Sequence, residues 1–208
     1  MKLIIISGRS GSGKTTCLHL LEDLGYYCVD NIPASLLDAL SRRLSAENLR
    51  LEHVAVSIDA RNLSEDLVQF PDIFTALAAS AIDGHIIFLD ADDNTLLKRF
   101  SETRRKHPLS SEHLGLMEAI VYEKELLEPI ALLADLTVDT STLSIHQLRD
   151  TIKNRVAEHG RNGLALQFQS FGFKHGIPVD ADIVFDARCL PNPYWEQELR
   201  QLTGLDQP

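Results

Sequence analysis

The stretch "IIISGRSGSGKTTCLHL", beginning at Ile4, constrains this chain more than any other part of it. Within it, Gly8-Arg9-Ser10-Gly11-Ser12-Gly13-Lys14-Thr15 matches the pattern G-x-x-x-x-G-K-[ST] in full. An apolar run leads in and a helical pattern leads out, which is the context the pattern requires. Glycines let the backbone wrap an anion with its N–H groups turned inward, a path that side chains would obstruct. The helix that follows presents its positive end to the same anion. Lys14 is expected to bridge the β- and γ-phosphates of a nucleotide, and Thr15 to set its hydroxyl on Mg²⁺. Such a loop demands a strand before it and a helix after it, so it commits the chain to an α/β fold.

The rest of the chain agrees. Short apolar runs alternate with longer amphipathic stretches. "KLIIIS", "YYCVD", "EHVAVSID", "HIIFLDA" and "ADLTVD" read as strands. Between them fall helical patterns: Lys14 to Leu24, "PASLLDALSRRLSA" with Pro33 near its first turn, and Ser64 to Ile82 with a break near Pro71. "NTLLKRFSETRR" follows from an Asn cap, then "SSEHLGLMEAIVYEKELLEPI" as one or two helices, then "SIHQLRDTIKNRVAEH" capped by Ser144. The alternation predicts a doubly wound parallel sheet with helices on both faces, like the P-loop NTPases and kinases. After Gly160 the character changes. "LALQFQSFGFKHGIP" and "ADIVFDARCLPNPYW" predict two extra strands, and "LRQLTGLDQP" reads as a linker. The expected division is a nucleotide-binding domain over 1–160 and an extension with linker over 161–208.

Composition narrows the classes. At 208 residues the chain can bury a substantial core without staples. Its net charge of −10 disfavours nonspecific nucleic-acid binding, which needs clustered Lys and Arg. Cys17, Cys28 and Cys189 form no C-x-x-C pair, and the first two read as buried thiols in a reducing cytoplasm. No apolar run approaches the ~20 residues of a membrane span. A homo-oligomer is left open.

A P-loop needs a second acid for its metal. Asp59, Asp90 and Asp30 each end a strand, where ligands of open sheets collect. Asp59 is preferred, as the acid of the third strand. Asp90, followed by "ADDNTLL", reads as a cap for the next helix, and Asp30 as facing either acceptor or metal. "LKRFSETRRKHPLS" resembles the lid of small-molecule kinases. Its basic residues are Lys98, Arg99, Arg104, Arg105 and Lys106. Arg104 and Arg105 are chosen as phosphate contacts, with a solvated helix face as the alternative. His107 is either a further contact or a surface residue. Thr140 and Ser141 either support a base or cap the last helix.

The segments "SGRSGSGKT", "EDLGYYCVDNIP", "SIDARN", "FLDADDNTLLKRFSETRRKHPLS", "ADLTVDTS" and "SFGFKHGIPVDADIVFDARCLPNP" together resemble the RapZ/YvcJ family of P-loop nucleotide-binding proteins. The likeness runs from Met1 to about Asp206. It implies ATP on Gly8 to Thr15, and a GTP contact on Asp59-Ala60-Arg61-Asn62. It also implies an adapter that presents a small regulatory RNA to an endoribonuclease and so controls amino-sugar synthesis. RNA contact is then expected mainly from a further C-terminal domain, toward which "TGLDQP" would lead. Three functions follow for weighing: a nucleotide-binding regulatory domain with slow hydrolysis, a small-molecule kinase, and an interaction module that keeps the loop as scaffold.

Overall fold

The computed structural model describes residues 1–45, 51–79, 82–158, 170–178, 181, 183–190 and 192–200. Five strands form one parallel sheet in the order β2-β3-β1-β4-β5. They are β1 (Lys2–Gly8), β2 (Tyr27–Val29), β3 (His53–Ser57), β4 (Asp83–Asp90) and β5 (Leu136–Asp139). The helices are α1 (Lys14–Asp23), α2 (Leu37–Ser45), α3 (Ser64–Val68), α4 (Phe70–Ala79), α5 (Asp93–Thr103), α6 (Leu116–Ala131) and α7 (Ile145–Glu158).

The central strand explains the unbroken apolar run near the start. Alternate residues of a strand face opposite sides, and both sides of β1 are covered. Leu3 and Ile5 pack with Val54, Val56, Ile86 and Phe88 against α2, α3, α4 and α6. Ile4 and Ile6 pack with Ala55, Ile87 and Leu89 against α1 and α7. A third, smaller cluster of Ala91, Leu96, Phe100 and Ile120 joins α5 to α6. Each fully buried aliphatic side chain contributes about 2 kcal/mol relative to exposure, so the sheet is held from both of its faces.

Helix boundaries follow local chemistry. The break expected near Pro71 falls at Gln69, and Pro71 sits in the first turn of α4, where a missing amide costs nothing. The cap of α5 is Asp92, not Asn94: its carboxylate accepts the Thr95 amide at 2.9 Å and the Thr95 hydroxyl at 2.6 Å. Asp90 is therefore no cap either; its Oδ1 accepts the amide of Ala91. Ser144 does cap α7, its hydroxyl accepting from Gln147 while the Gln147 side chain accepts the Ser144 amide. "SSEHLGLMEAIVYEKELLEPI" yields one helix, α6.

Two compact units divide at 170/171. In the second, the extra strands expected after residue 160 are absent among the described residues, which carry short 3₁₀ turns at Phe173–His175, Ala187–Cys189 and Pro193–Trp195. Ile183, Val184 and Phe185 are exposed, and a strand exists only through a paired neighbour. Asp186 instead turns the chain, accepting the Arg188 amide and pairing with its guanidinium, which lies 4.0 Å over the Phe173 ring. The expected run over 164–169 lies outside the described residues.

Candidate phosphate-binding site

The loop between β1 and α1 lies at the carboxyl end of the central strand, where ligands of open α/β sheets gather. Gly8 leaves the strand at φ 138°, and a Cβ there would stand 2.0 Å from the Leu89 carbonyl oxygen of β4. Gly13 adopts φ 109° at the head of α1, and a Cβ there would meet Leu148 at 2.8 Å. Any other residue is strained at both positions, and at Gly8 it would also meet the backbone of β4. The first turn of α1 leaves the amides of Lys14, Thr15 and Thr16 without intrahelical acceptors, since the first helical bond runs from Cys17 to Gly13. Lys14 Nζ lies over the loop, donating to the carbonyls of Gly8 at 2.6 Å and Arg9 at 3.2 Å. Burial pushes its pKa down, and the negative charges of Glu123, Asp59 and Asp30 oppose that.

The loop is tied to the protein at nearly every residue. The amide of Arg9 donates to Leu89, that of Ser12 to the Arg9 carbonyl, and that of Ser10 to Glu123. These three amides are therefore committed inside the protein. The anion-facing set narrows to Gly11, Gly13 and the first turn of α1. The Arg9 side chain is 2% exposed and runs under the loop. There its guanidinium bonds Asp90, Asp93 and the carbonyls of Ala91 and Ile120. Burial raises the Asp90 carboxyl, and Arg9 counters it. On the other flank, Thr140 Oγ1 donates to Ser12 at 2.9 Å or to Asp90 at 3.0 Å. Arg99 of α5 donates to the carbonyl of Gly11 and to both oxygens of Thr140.

Glu123 on α6 is fully buried. It accepts from the Ser10 amide at 2.8 Å, the Ser10 hydroxyl at 2.6 Å and His107 Nε2 at 3.1 Å. Burial alone would raise its carboxyl, but the bonds from His107 and Ser10 and the charge of Lys14 hold it below the usual range. His107 is thus neither a free contact nor a surface residue. It is 1% exposed and lies 4.9 Å from the Phe100 ring. Thr140, buried at the loop, neither caps α7 nor lies open to a base, and Ser141 accepts the Asp92 amide.

The acid side is built at the ends of β2 and β3. Asp59 is buried and meets Arg61 in a bidentate pair, with Nη2 2.7 Å from Oδ2 and Nε 3.1 Å from Oδ1. Burial pushes the Asp59 carboxyl up, yet the bonds from Arg61 and the charge of Lys14 outweigh it and hold it low. Ala60 is buried, and Asn62 accepts the Ala34 amide at 2.7 Å, stapling the loop after β3 to the turn before α2. Asp30 accepts from the Ser57 hydroxyl, whose oxygen in turn takes the amide of Asn31. Among the described residues no group of three His, Cys, Asp or Glu side chains forms a metal cluster. Mg²⁺ needs less from the protein: one carboxylate and a hydroxyl beside phosphate oxygens and water. Asp59, kept ionised and sensed by Lys14, and the hydroxyl of Thr15 are hard oxygen donors of that kind.

Lys14, Asp59, Arg61 and Asp30 are therefore brought together. Arg104 and Arg105 are not drawn in: both are exposed, without hydrogen bond or ion pair among the described residues. Arg104 instead ends α5 in the left-handed conformation, at φ 51°. The basic residue that touches the loop is Arg99. Glu123 escaped sequence reasoning, although one signal was available. Ala119, Ile120, Leu127 and Ile130 form the buried face of α6, and Glu123 falls in their midst at helical spacing.

Sheet, loop and flanking acids define a P-loop protein of the kinase-like α/β kind. The chain belongs to the RapZ-like family: residues 1–160 match the RapZ-like N-terminal domain, and residues 164–208 match the RapZ C-terminal domain. A protein of Hahella chejuensis named nucleotide-binding protein is 62% identical over 208 residues, covering 100% of this chain and 73% of its own length. One of the same name from Marinobacter nauticus is 60% identical over 210 residues, covering 100% and 71%. Among solved structures, a shikimate kinase from Bacteroides thetaiotaomicron superposes with a TM-score of 0.50 at 17% identity, over 76% of this chain and 98% of that one. That likeness concerns the fold alone. The family resemblance carried by the sequence segments is borne out. Among the described residues no helix is long and apolar enough to cross a membrane.

Proposed function

We propose that residues 1–160 bind ATP or GTP with Mg²⁺ in the cradle Gly8–Thr15 and hydrolyse it slowly. The observation that carries this reading is the loop itself: two glycines in positive-φ conformations that strain any other residue, and a lysine held over the carbonyls of Gly8 and Arg9. Thr15 and Asp59 would hold Mg²⁺, which when bound supplies positive charge against the phosphate oxygens. Lys14 would exchange the carbonyls of Gly8 and Arg9 for phosphate oxygens. Arg61, half exposed beside Asp59, would reach the same charge. A loop that only holds phosphate leaves the attacking water undirected, so turnover is slow.

In the cell this domain would be the nucleotide-binding part of a cytoplasmic adapter. That adapter presents a small regulatory RNA to an endoribonuclease and so controls amino-sugar synthesis. Family membership and the segments "GYYCVDNIP" and "FGFKHGIPVDAD" support this role. The net charge of −10 is carried by all 208 residues, including 164–208 that match the RapZ C-terminal domain, and disfavours nonspecific RNA contact through this stretch as a whole. Calorimetric titration of the protein and its Lys14→Ala variant with MgATP and MgGTP tests the binding. Uptake by the native protein and none by the variant is expected; equal uptake removes the cradle from the account.

A second reading, γ-phosphate transfer to a small molecule, is favoured by one observation. Asp30 is exposed at the end of β2 and shares the charged surroundings of Lys14 with Arg61. It would orient an acceptor hydroxyl. Labelled ATP with a metabolite panel separates the readings, since only transfer labels a product other than inorganic phosphate.

A further inference from the structure

We propose that Glu123 is a positioning residue for the phosphate loop, and that His107 couples it to the basic turn Arg104–Lys106. The proposal rests on the nucleotide reading above and assigns work to two residues that reading does not use.

Three donors converge on the Glu123 carboxylate, two from Ser10 and one from His107. The side chains of Glu123 and His107 are both 0% exposed, so water replaces none of these bonds. The direction of the histidine bond follows from its other nitrogen. His107 Nδ1 lies 3.2 Å from the amide of Leu109, and an amide only donates. Nδ1 therefore carries the lone pair and Nε2 the proton, so a neutral imidazole donates to an ionised carboxylate. A carboxylate held this way cannot rotate without leaving a buried donor unpaired.

His107 is also the anchor of its own segment. Its carbonyl accepts the Ser110 amide at 3.0 Å and the Ser110 hydroxyl at 2.8 Å, and its ring rests on Phe100. Arg104, Arg105 and Lys106 immediately precede it, and all three are exposed. A continuous path thus runs from that turn through His107 and Glu123 to Ser10, in the middle of the cradle. Displacing the turn pulls on the loop, and an anion that fixes the loop fixes the turn, because coupling between sites is reciprocal.

Two substitutions separate the hydrogen bond from the packing. His107→Leu keeps volume and loses the donor; His107→Gln keeps a donor. Each is titrated with MgATP and digested briefly with trypsin, with cuts after Arg104, Arg105 and Lys106 located by mass spectrometry. In the native protein MgATP is expected to slow those cuts. His107→Leu should bind MgATP about tenfold more weakly, the worth of one buried charge-assisted bond, and should be cut equally with and without it. His107→Gln should behave like the native protein. Identical behaviour of the two variants, whether native-like or impaired, overturns the proposal. Should His107→Leu not fold, Glu123→Gln replaces it, with the same outcomes expected. If the native protein takes up no MgATP, the nucleotide reading falls and digestion without nucleotide decides: His107→Leu must be cut faster than native and His107→Gln must not.

Discussion

Arg99 holds Gly11 from the far side of the loop: its Nη1 donates to the glycine carbonyl at 2.9 Å while its other bonds fasten Thr140. One guanidinium thus joins α5, the phosphate loop and the end of β5. Arg99→Ala is expected to destabilise by about 2 kcal/mol in chemical denaturation and to weaken MgATP binding together with stability. Arg99→Lys should restore only part of either, because one ammonium does not reproduce the planar fork. Native stability in Arg99→Ala would remove this residue from the cradle's support.

Gly8 and Gly25 both have positive φ, but only one is crowded. A Cβ on Gly8 would collide with the backbone of Leu89, whereas one on Gly25 would meet nothing within 4 Å. Gly25→Ala should cost about 1 kcal/mol, the strain of a left-handed alanine alone. Gly8→Ala should cost roughly 3 kcal/mol or more, since strand β4 itself must move. Urea unfolding of the two variants side by side gives the comparison.

The depressed carboxyl of Glu123 makes stability depend on pH. Its folded value lies below its ordinary value of 4.5, so the stabilisation it contributes is whole above that value and is lost as pH falls through the lower folded one. The groups facing it are His107, Ser10 and Lys14. Glu123→Gln should be less stable than the native protein at neutral pH, and the gap should narrow below about pH 4. A gap of constant size from pH 7 to 3 would contradict this.

The three thiols should be distinguishable by alkylation. Burial pushes Cys17 up to about 12 and Cys28 up to about 11, while Cys189 is exposed. At pH 8 Cys189 should react first, Cys28 slowly, and Cys17 only when urea unfolds the chain. Mass spectrometry of timed samples reads the order.

The sheet was legible because the covered strands β1 and β4 betray themselves as unbroken apolar runs, while β2, β3 and β5 showed as short apolar stretches between helical patterns. The cradle was legible because its glycines and lysine are consecutive. What holds the cradle was not. Glu123 lies 113 positions from Ser10 and Arg99 lies 88 from Gly11, so only the folded sheet brings them together. Arg99 stood inside a basic cluster, but which of five cations turns toward the loop is decided by its contacts with Gly11 and Thr140, far away in the chain. Asp92 outcompeted Asn94 as cap because Thr95 offers it both an amide and a hydroxyl. After residue 170 apolar β-formers suggested strands, but the run from 181 to 195 is interrupted by two side chains that turn the backbone, Asp186 and Asn192.

The buried guanidinium of Arg9 has a consequence for what the motif means in this chain. Written as G-x-x-x-x-G-K-[ST], the signature suggests four letters free to drift. Here Arg9 sits among two aspartates under the loop, Ser10 is gripped through both its polar atoms, and Ser12 is enclosed. Only Gly11 of those four lies open to water. Transplanting a generic version of this octapeptide from another protein would thus preserve the recipe for holding an anion and break the mounting that keeps it aimed.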